Sequence, residues 1–348
     1  MPEVSVLSTA FRPGGIDVLL AGMRDQTFRD FEVILVDRRY ELRHEKVMEL
    51  AKRYGVPLLH VPEHRRNGKW VSFCSAWNTA MALARGRVIL FLVDYAYAPP
   101  GWVERHLEVL GDRRRYVTGS YRMLGLPPLA LKHPYDFHDQ EVASHCVSVD
   151  RILREDLLDE VCAFERPFEP EWGETFEVPE DQQDLRTHSL DRQAGLVLNA
   201  GWVHVKNESV ARQVAWDLNG LDERLERGRG PMDIDWQWRL TLAGVEVWWE
   251  PSVVVWYLDS HKVSAALPWG SMHERVEGRW SWDDGLQYVE RRKVDILWER
   301  GSRRALNPYS MEDLAVRLEP WRTGAVVPQS VDVDDMTYWG SDIWPHSP

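Results

Sequence analysis

Short apolar runs alternate with amphipathic stretches over the first part of the chain. A short apolar run is typical of a strand buried in a parallel sheet, and apolar residues every three or four positions are typical of a helix packed on it. Strands are predicted over residues 4–8, 31–36, 57–61 and 88–93. Helices are predicted over residues 16–23, 45–54 and 71–84. This β-α-β-α-β-α-β order predicts an α/β fold with a doubly wound, parallel sheet.

Polar residues follow three of the predicted strands: Thr9, Asp37 and Asp94. The carboxyl ends of parallel strands meet at one edge of a sheet, where ligands bind, so these residues are candidates for a binding site. Asp94 is the most informative of them, because it ends the uninterrupted apolar run 88–93. Two simpler interpretations stay open, namely Asp94 as an ordinary loop residue and Asp37 as a cap of the next helix.

The composition argues against several classes of protein. A formal net charge of −13 argues against general nucleic-acid binding, because affinity for phosphates comes mainly from Lys and Arg. Cys74, Cys146 and Cys162 are odd in number and lack metal-ligand spacing, which indicates reduced thiols. No secretion signal and no apolar run long enough for a transmembrane segment is visible, so we expect a soluble, cytoplasmic protein.

No glycine motif of a dinucleotide-binding or P-loop protein is present. Other segments of the first half are more specific, and they occur in the order VSVLSTAFRPGG, QTFRDFEVILVD, AWNTAMALARGRVILFLVD and PPGW. In this order they resemble the nucleotide-sugar half of GT-A glycosyltransferases, most of all glycosyltransferase family 2. The resemblance implies that the donor, a UDP-sugar, contacts Thr9, Ala10, Phe11, Asp37 and Asn78.

Asp94 departs from the pattern of that family, which has a pair of acids at this strand end to bind a divalent metal ion. Here Val93 and Tyr95 flank Asp94 in one register, and Ala96 takes the second position in the other. A magnesium or manganese ion that bridges a diphosphate takes oxygen ligands, often from one or two carboxylates. A single aspartate therefore needs help from a ligand elsewhere in the chain.

The second half resembles the acceptor and catalytic half of the same enzymes. It has a glycine-bearing strand, an NGLDE turn, a helix that carries MDIDWQWR, and a histidine after an apolar strand. The resemblance implies that Asp233 is the general base, and that Gly201 lets a substrate approach the backbone. Asp235 is expected to support the helix or the diphosphate side of the donor site, because residues two apart on a helix point about 200° from each other.

His261 follows the predicted strand 253–258. Related enzymes often place a metal-ligating histidine after this strand, and an imidazole could replace the missing second acid. Asp94 and His261 are therefore the predicted ligands of a manganese or magnesium ion. The alternative for His261 is an ordinary structural or exposed histidine.

The resemblance divides the chain into a GT-A catalytic domain, residues 1–262, and a Trp-rich C-terminal extension, residues 263–348. In the catalytic domain, 1–115 form the nucleotide-sugar half, and 116–262 form the acceptor half with an acidic insertion around 151–187. The implied sheet is Rossmann-like, mixed and mainly parallel, with flanking helices. The extension is expected to cover the catalytic domain or the acceptor cleft, or to form a homo-oligomer contact.

These observations predict a metal-assisted, inverting glycosyltransferase that moves a sugar from a UDP-sugar to an acceptor hydroxyl. The acceptor is open among a glycan, a protein, a lipid and a modified nucleotide. One alternative is a catalytically degenerate GT-A protein that binds a carbohydrate or a partner, because acids of the family pattern are replaced at Val93, Tyr95 and Met232 and because the chain has 18 tryptophans. A second alternative, a sugar nucleotidyltransferase, lacks a glycine-rich loop for a triphosphate.

Overall fold

The computed structural model describes residues 1–10, 14–66, 69–70, 72–123, 161–162, 168, 193–197, 203, 205–223, 232–257 and 310–329. The strands in these ranges are β1 (Val4–Ala10), β2 (Phe31–Asp37), β3 (Leu58–Val61), β4 (Arg65–Arg66), β5 (Lys69–Trp70), β6 (Val88–Leu92), β7 (Ala96–Tyr97), β8 (Arg115–Met123), β9 (Gly195–Leu196), β10 (Asn207–Ala211) and β11 (Glu246–Tyr257). The helices are α1 (Ile16–Arg24), α2 (Tyr40–Tyr54), α3 (Ser72–Leu83), α4 (Trp102–Leu110), α5 (Arg212–Asp217), α6 (Met232–Leu242) and α7 (Met311–Arg322).

One large sheet organises the described part of the chain, with the strand order β3-β2-β1-β6-β10-β8-β11-β7 and with β9 paired to β11. The pairs of β1 with β2 and β6, of β2 with β3, and of β8 with β11 are parallel. β10 runs antiparallel to both of its neighbours, β6 and β8. The carboxyl ends of β1, β2, β3, β6, β8 and β11 therefore share one edge with the amino end of β10, and we call this the ligand edge.

Helices cover both faces of this sheet. Apolar residues of α1, α2 and α4 pack on one face, and apolar residues of α3, α5, α6 and α7 pack on the other. The prediction of a mixed, mainly parallel sheet flanked by helices is confirmed. The central strands β1, β2 and β6 are buried on both sides, which explains the continuous apolar runs of the sequence.

The C-terminal extension contributes one described helix, α7, which packs against α3. Its residues Leu314, Leu318 and Trp321 are buried in the same apolar cluster as α3. The guanidinium of Arg322 also pairs with Glu32 of β2. This segment of the extension therefore covers the sheet domain, whereas the acidic insertion around 151–187 falls largely outside the described residues.

Candidate functional site

The first strands deliver the predicted donor-binding residues to the ligand edge. In the register of β1 and β2, Thr9 is opposite Val36 and Ala10 is opposite Asp37. Directly after β2, the N–H of Arg38 donates a hydrogen bond to the carbonyl of Ala10 at 3.0 Å. Thr9, Ala10 and Asp37 therefore lie side by side at the ends of two parallel strands, as the sequence predicted.

Asp94 lies where the chain leaves β6 and turns into β7, and it is fully buried. The next residue, Tyr95, has φ 62, which is costly for a bulky side chain. The ring of Tyr95 packs against Gly15, where a Cβ would stand only 2.2 Å from a ring carbon. Tyr95, which takes a position of the acidic pair in one register, thus fixes this turn and leaves Asp94 as the acid of the strand end.

Asp37 is already engaged by protein groups. Its carboxylate accepts hydrogen bonds from the guanidinium of Arg43 and, at 2.8 Å, from the N–H of Arg39, and His60 Nε2 lies 3.3 Å from Oδ2. Burial acts to raise the pKa of Asp37, but Arg43 and His60 outweigh it and lower the pKa to about 2. Asp37 is therefore ionised and rigidly held, and its predicted contact with the nucleoside stays a prediction.

Asn78 links α3 to the NGLDE turn. Its Nδ2 donates to the carbonyl of Leu221 and to Oε1 of Glu223, both at 2.8 Å, and its Oδ1 accepts from the N–H of Leu221 at 2.8 Å. Gly220 has φ 67, and a Cβ there would stand 2.4 Å from Asn78 Oδ1, so this turn requires a glycine. These hydrogen bonds give Asn78 a structural role, and a direct contact with the donor stays a prediction.

A buried polar cluster continues from Glu223 toward α3. His64 Nε2 lies 3.2 Å from Glu223 Oε1, and His64 Nδ1 lies 2.7 Å from Thr79 Oγ1. The neighbouring Glu63 accepts a hydrogen bond from Ser75 Oγ. Burial raises the pKa of Glu63 to about 7, although Arg38 and Ser75 oppose the change. This cluster joins the end of β3 to the second half of the chain.

The raised pKa of Glu63 predicts a pH dependence of stability. Since the pKa of about 7 in the folded protein exceeds the ordinary pKa of 4.5, the stability linked to this group is complete below pH 4.5 and is lost as pH rises through 7. We expect Glu63→Gln to gain stability relative to the unchanged protein over this window, by about 1.4 kcal/mol per pH unit. Urea unfolding between pH 4.5 and pH 8 measures the difference. Glu49→Gln, at an exposed site on α2, is the control, and parallel pH curves for Glu63→Gln and the unchanged protein would contradict the prediction.

The two aspartates of α6 have different surroundings. Asp235 is buried, and its Oδ2 accepts from Arg239 Nε at 2.8 Å. Arg239 also donates to the carbonyls of Leu218 and Gly220, at 2.9 and 2.7 Å, so the pair ties α6 to the NGLDE turn. Asp233 is half-buried in the first turn, about 200° around the helix from Asp235. This arrangement separates a structural aspartate from the predicted general base.

The position of α6 also bears on Asp233. The helix is followed directly by β11, whose first residue Glu246 pairs with Arg115 at the edge opposite the ligand edge. A helix that packs on the sheet and leads back to the start of a strand begins near the other end of the sheet. The topology therefore predicts that Asp233 lies toward the ligand edge, where Asp94 follows β6.

Three of the predicted site residues, Phe11, Gly201 and His261, lie outside the described residues. Among the residues that the structure describes, no group of three or more His, Cys, Asp or Glu side chains could hold a metal ion. Asp94 fits the role of one oxygen ligand, but the described residues do not place a group of three such ligands around it. The fit to a divalent ion is therefore partial.

One basic residue at the ligand edge, Lys206, was not predicted from the sequence. Lys206 directly precedes β10, and its ammonium lies 5.1 Å from the ring centroid of Tyr121 and 5.3 Å from that of Tyr257. Tyr121 lies near the end of β8, and Tyr257 ends β11. The isolated lysine carries no motif, and only the placement of β10 in the sheet shows that it belongs to this edge.

A mixed α/β sheet with polar residues collected at the carboxyl ends of its parallel strands defines a ligand-binding α/β protein. Residues 7–160 match the family model of "Glycosyl transferase family 2". The match covers less than half of the chain and includes β2, β6 and Asp94, so this part of the chain resembles family 2. The predicted resemblance to glycosyltransferase family 2 is confirmed for these residues.

Similar solved structures include GalNAc-T7 with UDP, GalNAc and Mn²⁺, at 13% identity and a TM-score of 0.47, over 94% of this chain and 56% of that one. Another is the mannosyltransferase PcManGT from Pyrobaculum calidifontis with GDP-Man and Mn²⁺, at 14% identity and a TM-score of 0.42, over 92% of this chain and 70% of that one. The chain thus spans little more than half the length of the GalNAc-T7 chain. No curated protein matches the sequence. In the described part, no helix has the length and apolar character needed to cross a membrane.

Proposed function

We propose that the chain transfers a sugar from a UDP-sugar to an acceptor hydroxyl, with metal assistance and with inversion at the anomeric carbon. The observation that carries this proposal is the position of Asp94. It is buried at the end of a central strand, beside the ends of β1 and β2, within the segment that matches the family. A carboxylate at that point of a mainly parallel sheet suits a divalent cation, which in turn binds the diphosphate of a nucleotide-sugar.

We assign a separate role to each of the predicted residues at the ligand edge. Thr9, Ala10 and Asp37 would bind the nucleoside, because they end the two neighbouring strands β1 and β2. Asp94, with His261, would hold a manganese or magnesium ion, which when bound offsets negative charge on the departing diphosphate. Asp233 would accept the proton of the acceptor hydroxyl as that oxygen attacks the anomeric carbon from the face opposite the diphosphate.

A degenerate GT-A protein that binds a carbohydrate or a partner is the second candidate. The observation that favours it is the replacement of acids of the family pattern, with Tyr95 after Asp94 and Met232 before Asp233. Such a protein would bind a nucleotide-sugar or a glycan without turnover. We also propose a cytoplasmic location and a homo-oligomer contact through the extension. The proposed acceptor is a glycan, a protein, a lipid or a modified nucleotide.

The test is release of the nucleotide from a panel of UDP-sugars, with GDP-mannose included, in the presence of manganese and then of a chelator. We expect UDP release from at least one UDP-sugar, and faster release when a glycan, protein, lipid or nucleotide acceptor is supplied. Mass analysis of each acceptor identifies the product. Binding without release would favour the degenerate protein, and release from GDP-mannose alone would correct the choice of nucleotide.

A further inference from the structure

Lys206 lies at the ligand edge, next to the residue that precedes Asp94 on the neighbouring strand. β10 is antiparallel to β6 and β8, so the residue before it lies at the edge where those two strands end. The carbonyl of Lys206 accepts a hydrogen bond at 3.1 Å from the N–H of Val93, the residue before Asp94. Adjacent segments of the chain therefore bring Lys206 and Asp94, the predicted metal ligand, to the same part of the ligand edge.

Two tyrosine rings flank the ammonium of Lys206. The centroids of Tyr121 and Tyr257 are 5.1 and 5.3 Å from Nζ, and the two rings meet edge to face at 6.1 Å. Cation–π attraction holds the charge in place without neutralising it, and it occupies none of the three N–H donors as a carboxylate would. Within the described ranges, no ion pair of this ammonium with a carboxylate is present.

The backbone around Lys206 is strongly fixed. Val205 has φ 52, an unusual value for a β-branched residue, which persists only where the surroundings determine it. The N–H groups of Lys206 and Asn207 both donate to Oε2 of the buried Glu208. The turn that presents Lys206 is thus held before any ligand arrives.

Asn207 fixes the same turn from the other side. Its Nδ2 donates to the carbonyls of Ser120 and Val253, at 2.6 and 2.9 Å, and its Oδ1 accepts from Trp102 Nε1 at 2.8 Å. His106 Nε2 donates to the same Oδ1 at 3.0 Å, and burial lowers the pKa of His106 to about 3, so this histidine is neutral. The amide therefore joins β10 to β8, β11 and α4 at the position next to Lys206.

We propose that the ammonium of Lys206 binds the diphosphate of the nucleotide donor. This inference rests on the proposed function and concerns the same site. The chain has one acid, Asp94, where the family pattern has two, and Lys206 supplies part of the positive charge that a fully ligated metal ion would supply. The tyrosine rings keep the charge aimed at the edge, and the three N–H donors suit phosphate oxygens.

In the transfer step, the bond from the anomeric carbon to the acceptor oxygen forms as the bond to the diphosphate oxygen breaks. The bonding electrons stay on the nucleoside diphosphate, whose negative charge increases, and the hydroxyl proton passes to Asp233. The ammonium of Lys206 stabilises the departing charge. This interaction grows during the reaction, so it serves both donor binding and turnover.

The proposal is tested by calorimetric titration of Lys206→Met, Lys206→Arg and the unchanged protein with UDP and GDP, and with uridine and guanosine. We expect Lys206→Met to bind the nucleoside diphosphate about tenfold to a hundredfold more weakly and to bind the nucleoside unchanged, because one charge-assisted contact to phosphate is lost. Lys206→Arg keeps the charge and should recover most of the affinity. The matched control is Lys52→Met, which removes an exposed lysine near the end of α2.

The outcomes separate this inference from the proposed function. Equal affinity of Lys206→Met and the unchanged protein for UDP and GDP overturns the role of Lys206 alone. If Lys206→Met binds the nucleoside and the nucleoside diphosphate more weakly by the same factor, the role of Lys206 is also overturned, because such a loss indicates general damage to the site. If the unchanged protein binds neither diphosphate, the proposed function fails together with this inference.

Discussion

Replacement of Asp233 by asparagine is expected to lower sugar transfer by about a hundredfold to ten-thousandfold, which is the usual contribution of a positioned general base. An amide cannot accept the proton that the acceptor hydroxyl must lose. The substitution keeps the size and polarity of the side chain at a half-buried position in the first turn of α6. The affinity for UDP should therefore stay unchanged, and the loss should fall on turnover.

Steady-state transfer and UDP titration of Asp233→Asn measure the two effects separately. The matched control is Asp235→Asn on the same helix, which removes the carboxylate that Arg239 binds at 2.8 Å. That variant should lose thermal stability, whereas Asp233→Asn should unfold at the temperature of the unchanged protein. Full transfer activity in Asp233→Asn would remove Asp233 from the mechanism.

The fold could be predicted from the sequence because its strands are buried on both faces. Continuous apolar runs such as 88–93 then indicate buried parallel strands, and the order of strands and helices limits the number of possible topologies. The predicted ends of the helices were less accurate where a buried residue is polar. α2 begins at Tyr40 rather than at 45, because the early turn buries Arg43 as the ion-pair partner of Asp37, and a buried arginine does not register as apolar.

The ligand edge was predictable in part. Thr9, Asp37 and Asp94 could be assigned to it because each follows a strand, and parallel strands end together. Lys206 could not be assigned, because it precedes a strand whose antiparallel place between β6 and β8 is decided by tertiary pairing. The contacts of Asn78 with Leu221 and Glu223 join distant segments, and a single sequence does not reveal such pairs.

Replacement of Arg239 by methionine is expected to destabilise the protein by about 3–5 kcal/mol, the usual cost of breaking a buried ion pair from one side. Arg239 is fully buried, and it donates to Asp235 and to the carbonyls of Leu218 and Gly220. Its removal leaves a buried carboxylate without its arginine, and two carbonyls without this donor. Since a folded domain has only about 5–15 kcal/mol of stability in total, the loss would bring the protein close to unfolding.

Urea unfolding of three variants separates this effect from simple charge removal. Arg53→Met removes an exposed arginine paired with Glu49 and should change stability by about 1 kcal/mol at most. The double variant Asp235→Leu with Arg239→Met removes both buried charges, and it should be more stable than Arg239→Met alone because no carboxylate is then left in the apolar interior. If Arg239→Met is as stable as Arg53→Met, α6 does not depend on this pair for its attachment to the NGLDE turn. In that case the placement of Asp233 at the ligand edge must come from the packing of Trp236 and Leu240 in the core.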